Sequence, residues 1–272
     1  MKITSLTNPK IKQIVKLRDR KGREETGLTV MEGVKEVLYA HAAGIKLKEI
    51  YICRELLGPN EEKQLADILG KKGNAVEETS PDVFKKISYG DRREGVLAVG
   101  APKVLDFAQL KLKEDPALVV IVEKAEKPGN LGAILRTCDA AGVDALIVCD
   151  GKTDIYNPNA IRASLGTVFS VPVVQATNEK TLAFLKQNNI AVCAASPAAD
   201  LNYSYADFRK SIAITVGSEE EGLSNFWLKA ADETVKIPMY GKVDSLNLSV
   251  STAILVYEAL RQRNLFSLGV QK

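Results

Sequence analysis

The feature that most constrains this chain is the alternation of short apolar runs with helix-forming segments from residue 117 onward. ALVVIVE (117–123) is apolar almost throughout, which suits a strand buried on both faces. A helical stretch over 130–141 follows, then a strand, DALIVCD (144–150), a helix in NPNAIRASLG and a strand in TVFSVPVV. Helix 178–188, strand IAVCAAS, strand SIAITVG, helix SEEEGLSNFWLKAA and strand ETVKIPM continue the pattern. The last element is an apolar helix entered through SLNLS (245–249). Strands alternating with helices predict an α/β fold with a parallel sheet covered on both faces. Ligands of such sheets bind beyond the carboxyl ends of the strands.

Residues 1–103 read as a separate, smaller α/β unit of ordinary domain size. NPKIKQIVKLRDRKGREE places Ile11, Ile14 and Val15 at helical spacing behind an Asn8-Pro9 start. Strands are expected in TGLTVMEG, KEIYICR, NAVEET and EGVLAVGAP, and helices in VKEVLYAHAAG, EEKQLADILGKKG and PDVFKKIS. Polar, proline-bounded residues 104–116 read as a linker, and 117–272 as the second domain.

Several functional classes lose ground. No run of eighteen apolar residues exists, so no membrane-spanning helix is expected, and the start MKITSLTNPKIKQ lacks the apolar core of a secretory signal. Cys53, Cys138, Cys149 and Cys193 form no C-x-x-C, which argues against a disulfide framework or zinc site, and no metal is expected; a reducing cytoplasm fits. His41 is the single histidine and sits at a helix end, which leaves no Ser–His–Asp apparatus without it. Neither a G-x-x-x-x-G-K-S/T loop nor a strand-following G-x-G-x-x-G occurs, so nucleotide hydrolysis and nicotinamide chemistry are disfavoured.

Three loops at strand ends carry the interest. After strand 117–123, Pro128-Gly129-Asn130 turns into a helix that Asn130 is expected to cap. Arg136 lies six residues on, among Ala133, Ile134, Leu135 and Cys138. It is therefore expected off the freely solvated face, either pairing with a carboxylate or awaiting an anionic ligand. In TVGSEEEGLS, Ser218 is expected to cap a helix whose positive end suits Glu219, Glu220 and Glu221. In IPMYGKVDSLNLS, Pro238 stiffens the strand exit and Gly241 permits a sharp turn. The SLNLS run then offers backbone groups, Ser and Asn able to hold a neutral purine and ribose without charge. Taken singly, capping and ordinary loop structure explain the second and third loops.

Together and in order, N-x-G-x-x-x-R-T (130–137), G-S-E-x-x-G-L-S (217–224) and I-P-M-x-G-x-x-x-S-L-N-x-S (237–249) resemble the three motifs of the SpoU (TrmH-type) RNA ribose methyltransferases of the SPOUT superfamily. VMEGVKEVLYA and EGVLAV resemble the substrate-binding domain often fused in front of them. The resemblance implies a parallel-sheet α/β-knot domain, in which a trefoil knot gathers the second and third loops around S-adenosylmethionine. It assigns cofactor positions to Gly217, Ser218, Ile237, Pro238, Met239, Ser245 and Leu246, largely through main chain. It gives Arg136 the central catalytic role against phosphate and ribose, with Asn130, Glu219, Ser245 and Asn247 as the other polar site positions. The middle motif departs from many relatives at Glu220, where a small residue is common. Family members act as homodimers, and the apolar residues on more than one face of the last helix suit that.

Charge divides along the chain. Residues 1–103 carry 20 basic and 15 acidic side chains, and 104–272 carry 17 and 19. The front domain is expected to grip structured RNA through Lys10, Lys12, Lys16, Arg18, Arg92 and Arg93, with Arg136 at the reaction centre. Ribosomal RNA is the favoured substrate, and transfer RNA or a non-catalytic RNA-binding role on the same fold are the alternatives.

Overall fold

The computed structural model describes residues 2–71, 74–89, 94–112, 115–151 and 153–263, and these form two compact units. The first comprises residues 1–103 with 154–170, and the second 104–153 with 171–272. A boundary drawn within 104–116 does not describe the return of 154–170 to the first unit.

The chain opens with β1 (Lys2–Ile3), α1 (Pro9–Lys16), α2 (Arg20–Thr26) and β2 (Thr29–Glu32). It continues through α3 (Val34–Ala42), β3 (Leu47–Ile52), α4 (Pro59–Gln64), α5 (Ala66–Leu69), β4 (Ala75–Thr79), α6 (Pro81–Ile87) and β5 (Val96–Gly100). The five strands stand in the order β1-β4-β3-β5-β2, with β5 antiparallel to both of its neighbours. Ile11 and Ile14 of α1 and Val83, Phe84 and Ile87 of α6 bury one face of that sheet. The Asn8-Pro9 start behaves as expected, because the Asn8 side chain accepts the Lys10 N–H at 2.9 Å. The expected single helix over 8–25 is two helices. Arg23 turns inward, only 6% exposed, and donates to the Leu17 and Arg18 carbonyls left between α1 and α2. Its Nε also pairs with Asp154 at 2.7 Å. The expected helix over 61–73 is likewise split between α4 and α5.

The second unit begins with residues 104–112, which lie along the sheet. Leu105 bridges Val174, and Phe107 stacks on Phe184 with centroids 4.6 Å apart. The elements β6 (Leu118–Glu123), α7 (Pro128–Ala141) and β7 (Ala145–Cys149) follow. Then α8 (Pro158–Ala163) and a 3-10 turn at Thr167–Phe169 pack within the first unit. The strand expected over 167–174 is therefore shortened to β8 (Val173–Ala176), beyond left-handed Leu165 and Gly166 and after Pro172. The remainder is α9 (Asn178–Gln187), β9 (Ala191–Ala195), β10 (Leu201–Asn202), β11 (Ile212–Val216), α10 (Asn225–Ala230), β12 (Glu233–Lys236) and α11 (Leu248–Gln262).

All seven strands are parallel, in the order β10-β12-β9-β11-β6-β7-β8. Alternate residues face opposite ways along a strand. Val119 and Ile121 join Phe184, Leu185 and Trp227 on the α9–α10 side, leaving Val120 and Val122 for the side where α7 packs on α11. Burial on both faces explains why ALVVIVE has no polar alternation. It also sets the carboxyl ends of β6 and β11 side by side.

In the first unit, Glu32 offers a pH test. Its Oε2 accepts the Tyr89 N–H at 2.5 Å, while Oε1 is buried with no hydrogen-bond partner among the described residues. Burial pushes its carboxyl up from 4.5 to about 7, opposed by the Tyr89 N–H and by Arg162 and Arg18. A raised folded-state value means the native state holds the proton more tightly, so stability falls as pH rises through that window. We expect the unfolding midpoint to drop more between pH 5 and 8 in the wild type than in Glu32→Gln; equal slopes in thermal melts contradict this.

Candidate functional site

The loops after β6, β11 and β12 meet through side chains of the second unit. Helix α7 starts at Pro128 with Lys127 at the cap position, so Asn130 sits in the first turn and is not the cap expected from sequence. Its amide is thereby available to the second loop, and Nδ2 donates to Glu219 Oε1 at 2.9 Å. Asn247 does cap a helix, α11, its Oδ1 accepting Ser249 N–H at 2.9 Å. That leaves Asn247 Nδ2 to donate to Glu219 Oε1 at 2.6 Å and to Asn130 Oδ1 at 3.1 Å. Lys127 pairs with the other oxygen of Glu219. The Lys127 ammonium, then the Asn130 amide, holds the Glu219 carboxyl below the usual glutamate range.

The second loop is a turn where a helix was expected. Ser218 Oγ accepts the Glu221 N–H at 3.2 Å, Ser218 bridges Gly222, and Gly222 takes φ +66°. Helix α10 begins only at Asn225. Ser218 thus caps the turn, and the three glutamates do not sit on a helix dipole. Two of them meet lysines instead, Glu219 with Lys127 and Glu221 with Lys124. Gly217 is fixed by contact: a Cβ there would lie 2.1 Å from the Gly222 carbonyl carbon and 2.3 Å from the Leu223 nitrogen.

These loops wall a cleft of about 320 Å³. That lies near the lower end of the volumes typical of small-molecule sites, roughly 300–1,000 Å³. Gly217, Ser218, Ile237, Met239, Ser245 and Leu246 line it together with Glu219, whereas Pro238, Asn130, Asn247 and Arg136 do not. Sequence reasoning missed Ala195, Ser196 and Pro197 at the exit of β9, and Asp244 on the third loop. Strand β9 lies between β11 and β12, a neighbourhood that only the sheet order reveals. The lining suits S-adenosylmethionine: Ile237, Met239 and Leu246 offer apolar surface to a purine and ribose, and Glu220 and Asp244 are acidic groups that would attract a cationic sulfonium.

Arg136 corrects an expectation. It is exposed on α7, while Ile134, Leu135 and Cys138 are fully buried on the other side. Among the described residues none accepts a hydrogen bond from its guanidinium. In the first unit, Lys12 and Lys16 lie exposed one turn apart on α1. Lys10 is engaged by Glu77, and Arg18 donates to the carbonyls of Lys86 and Ser88. Arg92 and Arg93 lie outside the described residues.

Two outcomes follow from this geometry. Gly217→Ala should destabilise the fold by about 1–3 kcal/mol, the usual scale of overpacking, since the clash is with backbone; denaturant unfolding at wild-type stability contradicts it. The Lys127–Glu219 pairing should be complete above the ordinary glutamate pKa and be lost as pH falls through the lowered value. Carboxyl NMR should show Glu219 titrating higher in Lys127→Ala than in the wild type, and an unchanged titration contradicts the assigned cause.

Residues 117–257 match the SpoU rRNA Methylase family, and residues 8–98 match the MRM3-like substrate binding domain. Over 229 residues the chain is 33% identical to the 23S rRNA (guanosine-2'-O-)-methyltransferase RlmB of Bordetella pertussis, covering 80% of this chain and 90% of that protein. A solved RNA 2'-O ribose methyltransferase is 41% identical with TM-score 0.84, the match covering 97% of this chain and 99% of that one. An AdoMet-bound rRNA methyltransferase from Sinorhizobium meliloti is 30% identical with TM-score 0.86, covering 96% and 97%. With the motif residues gathered as described and the family model spanning more than half of its length, the chain belongs to the SpoU family of S-adenosylmethionine-dependent RNA methyltransferases.

Proposed function

We propose that this protein transfers a methyl group from S-adenosylmethionine to a ribose 2'-hydroxyl of ribosomal RNA, working as a homodimer in the cytoplasm on a knotted SPOUT fold. The observation that carries the reading is the meeting of Asn130, Glu219 and Asn247 beside a cleft lined by Gly217, Ile237, Met239 and Leu246. The name of the Bordetella relative, a 23S rRNA guanosine-2'-O-methyltransferase, and the match of residues 8–98 to a substrate-binding domain support the substrate class. On α11, Val250 is 45% and Tyr257 41% exposed on the face away from buried Leu255, Val256 and Ala259, which suits a second subunit.

The cofactor supplies a methyl group that is already electrophilic on its sulfonium. The protein has to hold a ribose 2'-oxygen in line with that methyl, so that the O–C bond would form as the S–C bond breaks, with S-adenosylhomocysteine leaving and the hydroxyl proton passing to water; orientation of this kind is worth roughly 7–11 kcal/mol at best. Arg136 carries a permanent positive charge and binds the target phosphate while stabilising negative charge that develops on the 2'-oxygen. Glu219 and Asn130 hold the polar edge of the site still, and Ser245 and Asn247 shape the space between cofactor and sugar. Lys12 and Lys16 on α1 meet phosphates elsewhere on the RNA.

The test is transfer of labelled methyl groups to total RNA from cells lacking the protein, followed by mapping. Label should enter ribosomal RNA; label confined to transfer RNA overturns the substrate class, and no transfer overturns the activity. Arg136→Ala should abolish transfer while leaving cofactor affinity nearly intact, whereas equal loss of both assigns Arg136 to structure. RNA binding should weaken steeply with salt, and a flat salt response contradicts phosphate gripping. Sedimentation at micromolar concentration should give a dimer.

A further inference from the structure

A carboxylate that lines no part of the cleft is bonded to the end of one of its loops. Glu123, the last residue of β6, is 0% exposed. Its Oε1 accepts Asn178 Nδ2 at 2.8 Å and Ser224 Oγ at 2.7 Å, and its Oε2 accepts the Ser224 N–H at 2.7 Å. Asn178 Oδ1 in turn accepts Trp227 Nε1 at 2.7 Å. A buried carboxylate is costly unless its oxygens are satisfied, and here three donors converge on it.

Ser224 is the residue at which the second cofactor loop ends. It occupies the N-cap position of α10 yet makes no side-chain cap bond, and its hydroxyl donates to Glu123. The loop between Gly217 and Ser224 is thus held at one end by β11 and at the other by Glu123. The neighbouring residue, Lys124, turns out of β6 with φ +53° and grips Glu221 in the middle of the same loop.

We propose that Glu123 is the positioning residue for this loop, setting cofactor affinity through Ser224 without touching the cofactor. The proposal rests on the methyltransferase reading above. A glutamine at 123 offers one acceptor oxygen and one NH2, so at least one of the three donors meets another donor. The loop then spends less time in the binding-competent arrangement, and apparent affinity falls by that fraction. Saturating cofactor selects the competent arrangement again. KM for S-adenosylmethionine therefore rises while kcat is largely retained. Simple loss of folded enzyme does the opposite, lowering kcat at unchanged KM.

The experiment measures methyl transfer kinetics, S-adenosylmethionine calorimetry and amide hydrogen exchange on the full chain in the wild type, Glu123→Gln and Ser224→Ala. The near-UV signal of Trp227, the single tryptophan, reports that each variant is folded. Glu123→Gln should raise the cofactor KM by roughly ten-fold or more, the scale of a lost hydrogen bond to a charged group, with kcat within about three-fold. Amides 218–223 should exchange faster than in the wild type. A folded Glu123→Gln with wild-type KM and wild-type exchange overturns the proposal, as does a fall in kcat alone. Where Glu123→Gln does not fold, Ser224→Ala decides: a raised KM is expected, and a wild-type KM overturns the assignment. Failure of the wild type to bind S-adenosylmethionine refutes the methyltransferase reading instead, and exchange at 218–223 in the variants still decides whether Glu123 holds the loop.

Discussion

Three loops of the second unit meet at one carboxylate, that of Glu219. Glu219 Oε1 accepts amide hydrogen bonds from both Asn130 and Asn247, residues 89 and 28 positions away in sequence, while Oε2 pairs with Lys127. Lys127 and Asn130 come from the segment after β6 and Asn247 from the loop after β12, while Glu219 itself follows β11. The close contact of Gly217 with the Gly222–Leu223 backbone keeps the middle loop thin enough for the junction to form.

The sheet makes such a junction possible. Strand β6 is flanked by β7 and β11, so the first and second loops emerge side by side, and β9 and β12 follow beyond β11. Helix α11 packs on α7, which brings Asn247 at its start to Asn130 at the start of α7. The chemistry required of the side chains is modest, because the methyl donor is intrinsically reactive. Among the described residues no histidine or cysteine lines the cleft. The four cysteines are buried and free, Cys149 and Cys193 pushed up to about 12 by burial, which suits packing and not nucleophilic work.

Much of this was legible in the residues. The uninterrupted apolar run ALVVIVE announced a strand covered on both faces, and of the seven residues expected at the cofactor all but Pro238 line the cleft. Local grammar misled where tertiary contacts outweighed it. Ser218 before three glutamates reads as a helix start, yet Gly222 in the left-handed region closes a turn there and delays α10 to Asn225. Arg136 stands among apolar neighbours in sequence, but helical rotation sends Ile134, Leu135 and Cys138 inward and Arg136 outward. Lys10 and Arg18 read as free cations, and each is engaged by a group more than sixty residues away. Two-residue strands such as β1 and β10 carry no periodicity to read, and the place of Ala195–Pro197 in the cleft follows only from sheet order.

Asn247 Nδ2 donates to Glu219 Oε1 across two loops, so the two side chains are expected to act as one unit. A double-mutant cycle on methyl transfer with Glu219→Ala, Asn247→Ala and the double variant tests it directly. Residues sharing one hydrogen-bond network couple by about 0.5–3 kcal/mol, so the double variant should lose less than the sum of the single losses by at least about 1 kcal/mol. Losses that simply add would mean that the two side chains work independently and that the loops are joined by something else.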